Sequence, residues 1–322
     1  MKNKINIAII GCADIASRKF LPALKSLTKY YNLVAVASRD YDKAKQLSIK
    51  YKCIPVVGYE NILNIENIDA VYIPLPVALH AKWVTFFLNA GKHVYIEKPA
   101  SESLIETKRL IKLAKSKSLS LFEGYMFQYH NQHKLIKNII SDSVIGNIKF
   151  FSGSFSIPML SKDNIRYNKQ LGGGSLLDLA GYPLRAAQIF LGDLTVTGSV
   201  LNFNKKGIDI DGSALLKNKN GICASISFGL DSFYKNEYEI FGTKGKILLK
   251  RAFTPPADLV NKIYIELEGK SYSLDAKPED HFKSSLKYFY NSINSDKHKI
   301  LNYEEIKKQS FNIEEIKKFA LS

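Results

Sequence analysis

Residues 5–16 read Ile-Asn-Ile-Ala-Ile-Ile-Gly-Cys-Ala-Asp-Ile-Ala. The run from Ile5 to Ile10 is almost wholly apolar, as a strand covered on both faces must be. Gly11 ends it, and an amphipathic stretch from about Ile15 to Lys29 predicts a helix. Gly11, Ala13 and Ala16 stand where the G-x-G-x-x-G/A dinucleotide fingerprint has its three small residues. Gly11 permits the tight turn, Ala13 lets the backbone approach a pyrophosphate, and Ala16 lets helix and strand pack closely. Cys12, Asp14 and Ile15 complete the turn, and the helix start offers N–H groups and a positive dipole to phosphate. With one glycine of three retained, the reading rests on the turn's place between a strand and a helix.

The alternation continues outward. Leu33–Ser38, Asp69–Ile73, His93–Ile96 and Leu119–Glu123 read as strands, and Tyr41–Lys52, Ala78–Ala90 and Ser103–Ser116 as helices. This spacing predicts a doubly wound parallel sheet, an α/β Rossmann domain over residues 1–124. After Gly124 the pattern changes. A helix near Gln132–Ser141, a strand at Asn147–Ile157, a flexible loop at Gly172–Gly174 and a helix at Ser175–Leu191 come first. Strand-like runs follow at Val196–Phe203, Ser213–Leu216, Ala224–Phe228, Glu237–Phe241, Lys246–Leu249 and Ile263–Leu267, then helices near Asp280–Ser295 and Tyr303–Phe319. Residues 125–322 are therefore expected to form an α+β domain for substrate binding and oligomerisation. Its sheet should be mostly antiparallel and open-faced, with helices on one side.

A chain of 322 residues with 46% hydrophobic and 24% charged content suits two globular domains. No apolar run reaches membrane length, and Met1–Lys4 leads straight into a strand, unlike a secretory leader. Cys12, Cys53 and Cys223 are odd in number and far apart, so neither a disulfide framework nor a zinc knuckle is expected, and the expected compartment is the cytoplasm. The net charge of +16 comes mostly from lysines scattered over helix surfaces rather than gathered in one tract. That predicts a basic surface attractive to an anionic cofactor or substrate, with no nucleic acid or membrane partner. His130 and His133 have metal-like spacing but no third ligand nearby, so no metal is expected.

At the end of the second strand stands Ser38-Arg39-Asp40, where a domain preferring NAD carries an acid for the ribose hydroxyls. A guanidinium there suits a 2′-phosphate, which favours NADP(H) over NAD(H). The strand His93–Ile96 runs into Glu97-Lys98-Pro99 at the carboxyl edge of the sheet, where doubly wound folds bind ligands. An ammonium at that edge polarises a carbonyl or shuttles a proton.

These segments, with Pro74-Leu75-Pro76 and His80, Glu123-Gly124-Tyr125-Met126-Phe127, Gly172–Asp178, Tyr182 and Glu237–Gly245, resemble the glucose–fructose oxidoreductase, inositol dehydrogenase and rhizopine-catabolism family, Gfo/Idh/MocA. The resemblance implies a nicotinamide-dependent oxidoreductase in which Lys98 and Tyr182 meet at the reacting carbon with Asp178 nearby. It implies cofactor contacts from Gly11, Cys12, Ala13, Asp14, Ile15, Ser38, Arg39, Pro74, Leu75, Glu97 and Lys98. His80 either joins them near the nicotinamide or caps the following helix. Tyr125, Phe127, His130, Asp178 and Tyr182 are the implied substrate contacts. Polyol dehydrogenases of the family commonly carry His at the position of Tyr182, and Tyr there is similar to the sugar ketoreductase, glucose–fructose and dihydrodiol branches. The turn with Arg18 and Leu21-Pro22-Ala23-Leu24 is most similar to 3-ketoreductases of nucleotide-linked 3-keto-6-deoxyhexoses. The expected activity is NADPH-dependent reduction of a keto-sugar carried on a nucleoside diphosphate. Two alternatives stay open: oxidation of a free sugar, polyol or cyclic diol with NAD(P)+, and a nicotinamide-binding regulatory protein without turnover. A homodimer or homotetramer paired through the C-terminal sheet is expected.

Overall fold

The computed structural model describes residues 4–322. They form two compact units: the chain up to Gly124 with Phe282–Ser310, and Tyr125–His281 with Phe311–Ser322.

In the first unit, β1 (Ile5–Ile10) is followed by a π-turn (Ala16–Phe20) that runs into α1 (Leu21–Lys25). Then come β2 (Tyr31–Ser38), α2 (Tyr41–Tyr51), β3 (Ile54–Val57), β4 (Ala70–Ile73), α3 (His80–Asn89), β5 (His93–Ile96), α4 (Leu104–Ser116) and β6 (Leu121–Glu123). The six strands are parallel in the order β3-β2-β1-β4-β5-β6. Strand order reverses between β1 and β4, the switch point at which such sheets open a ligand crevice beyond their carboxyl ends. β1, β4 and β5 are buried nearly throughout because helices cover both faces, which explains why their sequences are continuous apolar runs. β3 was not expected. Four residues long, with Pro55 inside and Ile54 and Val57 exposed, it is an edge strand without a periodic signal.

The second unit contributes α5 (Asn131–Ser141), β7 (Ile148–Ser156), a π-turn (Leu176–Ala180) running into α6 (Gly181–Leu191), and β8 (Leu194–Phe203) through β14. The remaining strands are β9 (Asp209–Asn218), β10 (Cys223–Gly229), β11 (Lys235–Gly242), β12 (Gly245–Lys250), β13 (Asn261–Leu267) and β14 (Lys270–Ala276). The eight strands lie in the order β14-β13-β12-β11-β7-β10-β9-β8, and every pair is antiparallel except β7 with β10. Ala214, Leu216, Ile226, Tyr238, Ile247 and Ile263 face inward, where α6 packs on β7 and β10. Leu215 and Tyr264, one residue out of phase, are exposed, as the two-residue period of a one-sided sheet requires. β14 was also unforeseen: only Ala276 of its residues is fully buried, so it carries no alternation to read. No helix among the described residues is long and apolar enough to cross a membrane.

The last two helices, α7 (His281–Ile293) and α8 (Asp296–Leu321), differ from the expectation that everything beyond residue 124 packs with the second domain. Tyr303 and Ile306 belong to the hydrophobic core of the first unit, with Val94, Leu119 and Leu121. Tyr303 Oη donates to Leu119 O, Tyr31 Oη donates to Leu286 O at 2.7 Å, and the Ser120 and Ser292 hydroxyls pair at 2.6 Å. Beyond Ser310 the same helix serves the second unit, where Asn312 Nδ2 donates to Leu194 O at 2.9 Å and Ser199 Oγ to Ile316 O at 2.6 Å. Removing Ile306 atoms should therefore loosen the parallel sheet. We predict that Ile306→Ala costs about 2–5 kcal/mol and lowers hydrogen-exchange protection in β1, β4 and β5. A loss confined to β8–β14 would contradict this assignment.

Candidate functional site

The cofactor-side residues all lie at the carboxyl edge of the parallel sheet. Gly11 follows β1, Ser38 and Arg39 close and follow β2, Pro74 and Leu75 follow β4, and Glu97 and Lys98 follow β5. Gly11 has φ +114°, and a Cβ on it would lie 2.8 Å from Leu75 Cδ2. At that φ a side chain is strained and Leu75 fills the space one would take, so the turn keeps a bare backbone of the kind a dinucleotide pyrophosphate approaches. Cys12 is half-buried and its thiol hydrogen-bonds to the Ser38 side chain; burial raises its pKa. Asp14 pairs with Arg18 at the exposed start of the first helix, with Arg18 Nε donating to Oδ1 at 2.6 Å.

Ser38 is buried and its Oγ accepts the Asp40 N–H at 3.1 Å. Asp40 caps α2: its Oδ1 accepts from Asp42 N at 3.0 Å and Lys43 N at 3.3 Å. The Asp40 carboxylate is therefore committed to the helix. Arg39 is exposed and has no ion pair among the described residues, so its guanidinium is available to a ligand phosphate.

The turn that carries Lys98 is pinned from several sides. Tyr72 Oη donates to Glu97 Oε1 at 2.6 Å, the Glu97 N–H to Ile73 O at 3.2 Å, and the Ala100 N–H to Glu123 Oε1 at 2.8 Å. His80, the first residue of α3, is fully buried with Nδ1 2.8 Å from Pro99 O and Nε2 2.7 Å from Leu75 O. Both ring nitrogens meet protein carbonyls, so His80 ties the Leu75 turn to the Lys98 turn and has no ring nitrogen left for a ligand. Burial lowers its pKa to about 4, so at neutral pH the ring carries one N–H and donates to one carbonyl at a time.

In the second unit Asp178 lies in the π-turn and Tyr182 in the first turn of α6. The Tyr182 ring is enclosed by aromatic rings: Phe155 at 4.9 Å, Tyr125 at 5.6 Å, Phe127 at 5.7 Å and Phe253 at 5.9 Å between centroids. Phe127 has no exposed surface and Tyr125 almost none, so both brace Tyr182 and offer no open face to a sugar. His130 is buried and caps α5, its Nδ1 accepting the Gln132 N–H at 3.2 Å. His133 is a core residue, with Nδ1 2.8 Å from Tyr238 Oη and a pKa lowered by burial to about 3. Among the described residues, no three His, Cys, Asp or Glu side chains cluster as metal ligands would.

Sequence reading missed Arg166. Its Nε donates to Asp178 Oδ2 at 2.5 Å, an ion pair whose side chains are only 35% and 19% exposed. The Gly172–Gly174 run, expected to be a flexible loop, is a packed corner. The Gly173 and Gly174 N–H groups donate to Asn168 O and Arg166 O, both at 3.0 Å. A Cβ on Gly173 would stand 2.5 Å from Arg166 O, and one on Gly174 would collide with the Asp209 carboxylate. Asp209 in turn accepts from Ser175 Oγ at 2.9 Å and Leu176 N at 2.6 Å, anchoring the start of the helix that carries Asp178 and Tyr182.

The buried histidines make stability depend on pH. His80 and His133 titrate near 4 and 3 in the fold and near 6.5 when unfolded, so the unfolded chain binds their protons first. Their contribution is intact above pH 6.5 and is lost as pH falls from there toward 4. Urea midpoints should therefore fall steadily between pH 7 and pH 4.5. A flat midpoint over that range would show that these rings are not neutral in the fold.

Residues 5–125 match the model of an oxidoreductase family with an NAD-binding Rossmann fold, and residues 133–248 match the GFO/IDH/MocA C-terminal domain. The dTDP-3,4-didehydro-2,6-dideoxy-alpha-D-glucose 3-reductase of Actinomadura kijaniata is 39% identical over 300 residues, which cover 92% of this chain and 90% of that protein. Its namesake in Saccharopolyspora spinosa is 40% identical over 295 residues, covering 91% of this chain and 89% of that protein. The crystal structure of a 3-ketoreductase from Actinomadura kijaniata in complex with NADP and TDP-benzene matches with a TM-score of 0.95 at 37% identity, covering 98% of each chain. With both domain models matched in order and such identity over nine-tenths of its length, the chain belongs to the GFO/IDH/MocA oxidoreductase family.

Proposed function

We propose that the protein is an NADPH-dependent reductase of a keto-sugar carried on a nucleoside diphosphate, acting at the 3-keto position. The observation that carries this reading is the likeness, over nearly the whole chain, to dTDP-sugar 3-reductases and to a 3-ketoreductase bound to NADP and TDP-benzene. The cradle at Gly11 and the uncommitted Arg39 fit such a cofactor. NADPH, when bound, supplies the hydride for the ketone carbon. Lys98, on its pinned turn, would polarise the ketone oxygen, and Tyr182 would give it a proton from Oη, leaving an alcohol. Asp178, held by Arg166, would accept a hydrogen bond from a substrate hydroxyl. His80 would act by holding the Leu75 and Lys98 turns in place.

A cleft of about 340 Å3 in the second unit supports a diphosphate-bearing substrate. Lys162, Lys169 and Lys206 line it against one carboxylate, Asp163. The open face of the eight-stranded sheet supports a homodimer or homotetramer, since Val200, Phe203, Leu215 and Tyr264 are all exposed there. Three unpaired cysteines suit a cytoplasmic enzyme.

Arg39→Ala should weaken NADPH by about 1.5–3 kcal/mol, the worth of a charged hydrogen bond, and leave NADH nearly unchanged. Calorimetric titration with both cofactors decides this, and a wild-type protein that binds NADH more tightly would sink it. Lys98→Met and Tyr182→Phe should each reduce single-turnover reduction by roughly 10²–10⁴-fold, with NADPH affinity far less affected. Near-wild-type rates in both variants would remove these residues from the chemistry.

A further inference from the structure

The chemistry proposed above gives Arg166 only a holding role, yet the fold invests heavily in its position. Its N–H donates to Asn164 Oδ1 at 3.1 Å and its carbonyl accepts the Gly174 N–H at 3.0 Å, so both backbone polar groups are fixed. The absent Cβ of Gly173 is the space that the Arg166 carbonyl fills. The guanidinium then lies against Asp178 through Nε, with Nη1 3.5 Å from Asn164 Oδ1. The Asp178 carboxylate foremost raises the Arg166 pKa, and the phenolates of Tyr182 and Tyr167, were they to form, act in the same direction. Tyr167 is itself hydrogen-bonded to Asp231.

A comparison within the chain separates this pair from ordinary surface pairing. Asp14 and Arg18 form the same kind of pair, but both side chains are 67% exposed, where water and salt screen it. Arg166 and Asp178 are at most about half as exposed, so their field reaches neighbouring groups with less loss.

We propose that Arg166 is a positioning residue of the reduction, which holds Asp178 as an anion in one orientation and sets a fixed positive field on the Tyr182 phenol. This rests on the reading that Asp178 and Tyr182 act on the substrate. An anionic Asp178 cannot donate a proton, so it serves only as an acceptor, and proton donation falls to Tyr182. As the phenol gives up its proton, negative charge grows on Oη, and a cation fixed beforehand stabilises that charge without reorganising. A mere loop tether would need the ion pair but not the field, and this difference can be measured.

Variants R166Q and R166K would be assayed with NADPH and dTDP-3,4-didehydro-2,6-dideoxyglucose, the compound named for the relatives. R166Q should lower kcat by about 10- to 100-fold, the usual consequence of a mispositioned group, with NADPH affinity unchanged. Without the cation, carboxylate and phenol both hold their protons more tightly. Both limbs of the kcat/KM profile should then move to higher pH by about one unit or more. R166K keeps the charge but loses the planar fork, so its limbs should stay near wild type while kcat remains low. G173A, which displaces the Arg166 carbonyl, should lower kcat as R166Q does. Wild-type kcat in R166Q, or a low kcat with unmoved limbs, would overturn the proposal. If R166Q does not fold, R166K decides: a wild-type kcat there overturns it, and a low kcat with unmoved limbs supports it. Full activity in D178N and Y182F would instead defeat the underlying reading and leave R166Q free to behave as a simple tether, so the two failures are distinguishable.

Discussion

The first unit is organised around a space that no side chain of Gly11 can enter. Leu75 at the end of β4 stands where any side chain on Gly11 would have to go, so β1 ends in a turn only glycine can make. That turn holds the start of the first helix close to the sheet. It also leaves the carboxyl ends of β1 and β4 open at the point where strand order reverses. The residues proposed to hold a dinucleotide lie on this edge. Leu75 is fixed in turn by His80, whose other ring nitrogen faces the carbonyl after Lys98. One buried imidazole thus links the site of cofactor approach to the turn that carries the proposed catalytic lysine.

The second unit solves a different problem with the same economy of space. Tyr182 is surrounded by aromatic rings, which fix its ring plane and exclude water from its faces. Aromatic packing alone cannot set the charge around the hydroxyl. The glycine corner does so by bringing Arg166 to Asp178 across a tight turn, while Asp209 anchors the same helix from β9. The two π-turns, Ala16–Phe20 and Leu176–Ala180, each open a helix: the first follows the Gly11 turn, and the second holds Asp178 and runs into the helix that carries Tyr182. Such wide turns shift the helical phase and are common where side chains must be re-aimed.

How much of this could be read from sequence depended on whether a signal was local. β1, β4 and β5 were legible because burial on both faces writes a continuous apolar run. β3 and β14 were not, because an edge strand needs neither a run nor an alternation. The destination of α7 and α8 was invisible, since an amphipathic pattern shows that a helix packs and not upon what. Lys98, Asp178 and Tyr182 stood in recognisable motifs, but Arg166 did not, because its role arises from a fold-back through three glycines. One signal was available. Among 46 basic residues only six are arginine, so an arginine kept in a chain that otherwise uses lysine marks a place where a planar fork matters. Tyr125 and Phe127 show a related difficulty: aromatic residues beside a motif brace a site as readily as they line it.

The small strand β3 has a consequence of its own. It forms the outer boundary of the parallel sheet, and half of its residues, Ile54 and Val57, are apolar and about 50% exposed. An uncovered ribbon of that kind invites another chain to add to it, the first step of fibrous aggregation. Pro55 has no N–H to offer an incoming strand, and four residues give too short a template to hold one. The feature that hid β3 from a reading of the sequence thus also makes this edge a poor template for an incoming strand.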